Sequence, residues 1–314
     1  MKPEDGYIAY IVNPKSGASS GKIMISQFKE YLSAHGFEVR TYFTQSLPHA
    51  GELATRAAVD YNCAMVVAAG GDGTIREVAH GLEGSDKTML VIPGGTENLL
   101  ANELGLDERT KTLIKAFEAG PVKSLDLGSA NGRCFTSIAG FGFDGEVIKR
   151  VNDWRKGHIH HLDYFWPLWQ AFWEHKFPDL NVVIDGENVF QGQAMVFVGN
   201  ISRYAIGLKI LKNADFGDQM LDVCIYKCLN RPTLVKHSLM TILKMHTDRN
   251  NVIYRQGKII EVSSTSPNVQ TQIDGDPGPE LPVKIEIIPQ AVKVMVPPNA
   301  KPAGIRTRLI RIVG

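Results

Sequence analysis

A chain of 314 residues with 44% hydrophobic content has the length of two domains and ample apolar material for a core. Its 34 Lys+Arg against 33 Asp+Glu leave a net charge of +1, which excludes the strongly basic balance of a dedicated nucleic-acid binder. No apolar run reaches the roughly 18 residues of a membrane-spanning helix, and the opening MKPEDGYIAYIVNPKSG lacks the apolar h-region of a signal peptide.

Residues 7–12 read as a strand, followed by the turn Asn13-Pro14-Lys15-Ser16-Gly17. Helical periodicity over 22–35 stops at Gly36; 37–43 is a second strand and 48–61 a second helix. The apolar run 63–69 is a third strand, leading through Gly70-Gly71-Asp72-Gly73 into a third helix. Residues 88–92 form a fourth strand, then come Pro93-Gly94-Gly95-Thr96-Glu97-Asn98 and helical segments to Ala119. This β-α-β-α series predicts a parallel sheet with helices on both faces. Its three glycine-bearing turns, 13–17, 70–74 and 93–98, are expected to converge at one carboxyl edge, where such sheets bind ligands.

After Pro121 short strand-like runs dominate, at 122–129, 134–138, 180–184, 193–198, 221–226, 258–263, 283–288 and 292–296. Helices are expected near 146–152, 162–176 and 233–246. A second, mostly antiparallel β domain is therefore predicted. The expected divisions are 1–124, 125–298 and a tail, 299–314, free to return to the first domain.

The stretch 66–78, VVAAGGDGTIREV, is the most informative. A glycine turn entering a helix N-terminus is a phosphate cradle, and Thr74 with Glu77 fits a capping box. Asp72 puts a carboxylate in the middle of that cradle. Either no phosphate binds there or a cation sits between the two anions.

Other patterns carry less. Gly17-Ala18-Ser19-Ser20-Gly21-Lys22 fails as a Walker A loop, because three residues separate its glycines and Ile23 replaces the required Ser or Thr. Residues 140–145, GFGFDG, match G-x-G-x-x-G but lie outside the βαβ region, and read as a glycine turn. Cys224 and Cys228 have no second ligand pair, so they, like Cys63 and Cys134, read as core. His158, His160 and His161 read as an exposed loop. Leu162, Phe165, Trp166, Trp169, Phe172 and Trp173 share one helical face, which suits a helix packed on the second domain's sheet, an acyl-chain wall or a dip into a membrane interface.

Taken together, NPKSG at 13–17, GGDGT at 70–74 and PGGTEN at 93–98 resemble the diacylglycerol kinase catalytic-domain family, which includes bacterial lipid kinases and sphingosine kinases. The resemblance continues in family order through GFGFDGEV (140–147), DFGDQMLDV (215–223) and VQTQIDGD (269–276). It implies an NAD kinase/diacylglycerol kinase-like α/β first domain and a soluble, cytoplasmic lipid kinase peripheral to the membrane. ATP would be the co-substrate, Mg²⁺ the cofactor and a lipid hydroxyl the acceptor, with a homodimer left open.

By the same resemblance Asp72 would hold the ion in the cleft. Asn13, Ser16, Gly71, Gly73, Thr74, Gly95, Thr96 and Asn98 would line the nucleotide, and Asp274 would be the general base. Asp215, Asp218 and Met220 would form a structural Mg²⁺ site. Two departures stand out: Leu99 where many members carry Asp, with Glu97 the carboxylate closest by, and Asp276 where Glu is usual. The rival readings are an NAD kinase-like small-molecule kinase and a non-catalytic lipid-binding regulatory protein of the same fold.

Overall fold

The computed structural model describes residues 2–16, 19–154, 165–247 and 250–298. Gly17, the histidines at 158–161 and the tail 299–314 lie outside these residues. The chain divides into two compact units: Met1–Leu125 joined by the chain from Gln290, and Asp126–Pro289.

The first unit contains, in chain order, β1 (Tyr7–Val12), α1 (Ser19–Ala34), β2 (Val39–Phe43), α2 (Leu47–Val59), β3 (Cys63–Gly70), α3 (Asp72–Gly81), β4 (Thr88–Pro93), α4 (Leu99–Glu103) and α5 (Thr110–Ala119). Its strands pair in parallel in the order β2-β1-β3-β4. Every residue of β1 is buried, and all of β3 but Ala64. Such unbroken apolar runs belong to parallel strands covered on both faces, whereas a half-solvated strand alternates. Helix α2 starts at the Ser46 cap, whose hydroxyl accepts from His49 N at 3.3 Å, with Pro48 in its first turn.

The capping box expected at Thr74 is not formed. Helix α3 begins at Asp72 with Gly71 as its N-cap, which places Thr74 at the third helical position. Glu77 does not reach back to a cap; its Oε1 lies 3.1 Å from Arg76 Nη2. The extended backbone of Gly71 (φ −83°, ψ 176°) turns the chain into the helix earlier than the local S/T-x-x-E pattern implies.

The second unit is antiparallel in its strand pairs. It comprises most of β5 (Val122–Ala130), then β6 (Arg133–Phe135), β7 (Ile138–Phe141), α6 (Phe143–Trp154), α7 (Phe165–Glu174), β8 (Asp179–Ile184), β9 (Glu187–Gly199), β10 (Leu221–Lys227), α8 (Arg231–Ile242), β11 (Val252–Gly257), β12 (Ile259–Ser264), β13 (Thr271–Ile273), β14 (Asp276–Pro277) and the start of β15 (Val283–Met295). The period-two geometry of strands divides its core in two. Ala194, Val196 and Val198 of β9 join Leu221, Val223 and Ile225 of β10 in one cluster. The alternate residues Met195, Phe197, Cys224 and Tyr226 join Phe177, Cys228 and Leu234 in the other. Cys224 and Cys228 are therefore core, as expected, and burial pushes their thiols up to about 12 and about 11.

Helix α7 does not bury its aromatic face as a unit. Pro167 and Ala171 are buried and Phe172 packs against the second cluster. Trp166, Trp169 and Trp173 remain about half exposed, at 46%, 48% and 51%. Strand β15 passes from unit to unit: Val283–Glu286 pair with β12, and Lys293 and Val294 pair in parallel with Thr88 and Met89 of β4.

Candidate active site

Three adjacent parallel strands of the first unit end level with one another. Val12 stands opposite Ala69, and Gly70 opposite Pro93. The ladder continues one residue further, with Asn13 N donating to Ala69 O at 2.9 Å and Gly94 N to Gly70 O at 2.8 Å. The turns after β1, β3 and β4 thus share one carboxyl edge, as their spacing predicts.

Two further contacts weld these turns together. Asn13 Nδ2 donates to the buried Thr74 Oγ1 at 3.0 Å, joining the first turn to helix α3. A Cβ placed on Gly95 would lie 2.7 Å from Gly71 Cα, and one on Gly71 would lie 3.3 Å from Gly95 Cα. Only glycine permits that approach of backbone to backbone. The amides at the start of α3 point out over this edge, where the helix end is partly positive. Asp72 occupies the first helical position, which the same field favours for a carboxylate.

The remaining expected nucleotide residues differ in their engagement. Ser16 Oγ donates to Asn13 O at 2.8 Å. Asn98 is buried and left-handed (φ 50°); its Oδ1 accepts from Gly95 N at 2.6 Å and its Nδ2 donates to Gly95 O at 2.9 Å. Asn98 thereby shapes the 95–98 turn. Thr96 is exposed on that turn and Gly73 lies in the first turn of α3. Leu99 is buried at the start of α4, and Glu97 O accepts from Asn102 Nδ2 at 2.9 Å.

In the second unit Asp274 and Gly275 form the turn between β13 and β14, both with positive φ (50° and 82°), as two-residue hairpin turns of the primed type require. The Asp274 carboxylate is held by the segment before β7. Its Oδ2 accepts from Thr136 N at 2.9 Å and Thr136 Oγ1 at 3.2 Å; its Oδ1 accepts from Ser137 N at 2.9 Å and Ile138 N at 3.0 Å. Four donors match the roughly four lone-pair sites of a carboxylate. Asp276 lies near Arg133 Nη2, at 3.7 Å.

Asp215, Asp218 and Met220 lie in one turn, with Asp218 N donating to Asp215 O at 3.4 Å. Asp215 Oδ1 accepts from Gly217 N at 3.2 Å, Asp218 Oδ1 from Met220 N at 3.0 Å, and Asp218 Oδ2 from Gln256 Nε2 at 3.0 Å. The same Gln256 amide reaches Asp222 Oδ2 at 3.2 Å. Burial raises the pKa of Asp222, and the charges of Asp218 and Asp215 raise it further. Among the described residues no group of three or more His, Cys, Asp and Glu is placed to hold a metal. By chemistry alone, two carboxylates and a backbone carbonyl are a hard oxygen donor set of the kind a divalent cation takes.

Sequence reasoning assigned no role to Asp144, Tyr204 or Gln272. Asp144, in the first turn of α6, is buried and accepts from the Tyr204 hydroxyl through Oδ1. Its Oδ2 and Gln272 Nε2 are both buried without a well-formed hydrogen bond. A Cβ on Gly140 would meet these two atoms at 2.0 and 2.9 Å, so the glycine of segment 140–145 makes room for them. Burial pushes the Asp144 carboxyl up to about 6, against the lowering effect of Tyr204 and Gln272. Nearby in sequence, burial would raise Glu146, but hydrogen bonds from His175 (2.8 Å) and Arg150 (2.7 Å) outweigh it and lower its pKa.

The chain belongs to the diacylglycerol kinase catalytic-domain family: the profile of that domain matches residues 8–130, and the YegS C-terminal NAD kinase beta sandwich-like domain matches residues 137–296. Among curated proteins it is 29% identical over 294 residues to a diacylglycerol kinase of Bacillus subtilis (strain 168), covering 91% of this chain and 95% of that one. It is 28% identical to a diacylglycerol kinase of Staphylococcus saprophyticus, covering 93% and 95%. Its fold matches a crystal structure of a diacylglycerol kinase from Bacillus anthracis with a TM-score of 0.70 at 20% identity, over 94% of this chain and 98% of that one. The architecture is thus that of a phosphotransferase with ATP as co-substrate.

Proposed function

We propose that this protein is a lipid kinase that transfers the γ-phosphoryl group of ATP to the hydroxyl of a diacylglycerol-like lipid. The observation that carries this reading is the carboxyl edge of the first unit, where Asn13–Thr74 and Gly71–Gly95 lock three glycine turns together. Relatives named diacylglycerol kinase align with nearly the whole chain, which favours a lipid over NAD as acceptor. Asn13, Ser16, Gly71, Gly73, Thr74, Gly95, Thr96 and Asn98 would form or shape the nucleotide seat.

The lipid hydroxyl oxygen attacks the γ-phosphorus in line, its bond to the β,γ-bridging oxygen breaks, and ADP leaves. Asp274 accepts the hydroxyl proton. To do so it exchanges one of its four present donors for the lipid hydroxyl. Asp72 would hold Mg²⁺ near the phosphates, and Asp215, Asp218 and the Met220 carbonyl a second, structural ion. When bound, the metal neutralises charge on the transferred group.

The test is purified protein with labelled ATP and a panel of lipids in mixed micelles, alongside Asp72→Ala. Label should enter a lipid hydroxyl, and a folded Asp72→Ala protein should lose several kcal/mol of transition-state stabilisation. Equal rates in the two proteins would remove Asp72 from the site. The second reading, a non-catalytic lipid-binding protein of this fold, is favoured by Leu99, a buried aliphatic where many members carry Asp. It requires nucleotide binding without turnover on any lipid.

A further inference from the structure

Among the described residues, helix α8 buries one face and leaves the opposite, aliphatic face exposed. Leu234, His237 and Thr241 are buried; Leu234 belongs to the second core cluster, and His237 Nε2 pairs with Lys227 O at 2.9 Å. These contacts fix the rotation of the helix. Val235, Leu239, Ile242 and Leu243, at i, i+4, i+7 and i+8, then form an outward stripe, each between 51% and 59% exposed. Leu229 before the helix and Met245 after it are exposed as well. Single exposed aliphatics are ordinary, but a continuous helical stripe of them marks an interaction surface.

The charge around the stripe identifies its partner. From residue 229 to residue 247 the chain has Arg231, Lys236 and Lys244 and no Asp or Glu. Lys236 and Lys244 are exposed. Arg231 Nε donates to Phe172 O at 3.0 Å, and its guanidinium stands 5.6 Å from the Trp173 ring. The half-exposed Trp173, edge-to-face with Trp169 at 5.7 Å, thus adjoins the start of the stripe. Aliphatic residues flanked by cations and tryptophans are the composition of a helix lying in a membrane interface. Pairing of this face with itself about a two-fold axis would set cations against cations.

We propose that the outward face of α8, with Trp169 and Trp173, docks on an anionic lipid bilayer. The aliphatic stripe enters the headgroup–acyl boundary while Arg231, Lys236 and Lys244 meet lipid phosphates. The biological purpose of this surface rests on the lipid-kinase reading, but its chemistry does not.

The test is sedimentation of the intact protein with vesicles of equimolar phosphatidylglycerol and phosphatidylcholine, against vesicles of phosphatidylcholine alone. The parent should partition to the anionic vesicles by at least about tenfold, and less as salt rises. Leu239→Glu with Ile242→Glu should lower that partition by at least about tenfold, as charged residues oppose insertion. Lys236→Glu with Lys244→Glu should do the same without touching the aliphatic stripe. Melting temperature and phosphorylation of a monomeric short-chain diacylglycerol should stay at parent values in both variants. Equal binding of parent to both vesicle types, or parent-like binding by the aliphatic variant, overturns the proposal. So does a parent dimer that the aliphatic variant dissolves while vesicle binding persists. Vesicle binding by a parent that phosphorylates no lipid would overturn the kinase reading and leave the docking surface standing.

Discussion

The Asn13 amide nitrogen donates to the Thr74 hydroxyl at 3.0 Å, across a sequence separation of 61 residues. The same side chain accepts Lys15 N at 3.0 Å through its oxygen, so one residue orders its own turn and ties it to helix α3. Asn13→Ala should cost about 1 kcal/mol of stability and weaken ATP binding by roughly tenfold. In a double-mutant cycle, Thr74→Val should add little once Asn13 is gone, with a coupling of about 0.5 kcal/mol or more. Additive losses in ATP affinity would show that the two turns do not act together.

Gly95→Ala tests the close approach of the second and third turns. Its new methyl would sit 2.7 Å from Gly71 Cα, against backbone with no flexible side chain to yield. Overpacking of this kind costs about 1–3 kcal/mol. ATP binding by calorimetry should fall to the detection limit while the second unit's far-ultraviolet signal persists. Parent-like affinity would place the nucleotide elsewhere.

Asp274→Asn separates base from anchor. The amide would turn an NH₂ group toward the donors of Thr136, Ser137 and Ile138, leaving buried N–H groups unsatisfied at about 1–3 kcal/mol. For a unit of the size of Asp126–Pro289 that is a fall of about 2–4 °C in melting temperature per kcal/mol. If Asp274 is also the base, phosphorylation should drop on the order of a hundred- to ten-thousand-fold, with near-parent ATP binding. A lower melting temperature with activity lost only in proportion to unfolding would leave Asp274 as an anchor alone.

Asp144 gives stability a defined pH dependence. Its folded pKa of about 6 exceeds the unfolded value of 3.8, so the folded state binds more protons between them. Its contribution is therefore most favourable below about pH 4 and declines as pH rises toward about 6, by roughly 3 kcal/mol in all. Asp144→Asn should raise the melting temperature at pH 7.5 and flatten its dependence over that window. An unchanged slope in denaturant titrations would assign the pH response to other groups.

How much of this was legible depended on how local its causes are. Strands β1 and β3 were readable because burial on both faces requires unbroken apolar runs. The start of α3 was misread because the Thr74–Glu77 pattern is local, whereas the true start is set by Gly71, packed against Gly95 from another turn. The seat of Asp274 was invisible, since its donors lie 136 to 138 residues away and three of the four are backbone amides that any sequence supplies. Tyr204 gave no signal, because nothing near it in the chain points to Asp144. The α7 tryptophans show the limit of periodicity: a helical apolar stripe looks the same whether protein covers it or not.

The path of strand β15 sets an order on biosynthesis. Lys293 and Val294 belong to the first unit and line the side of β4 opposite β3. Until they emerge from the ribosome, β4, buried at five of its six positions in the finished protein, presents an open apolar edge that invites pairing with other chains. The second unit, by contrast, is continuous in the chain and is complete by Pro289. The half of the protein that is made first is thus the half that is finished last, and a chain cut short before residue 290 should be recovered as aggregate.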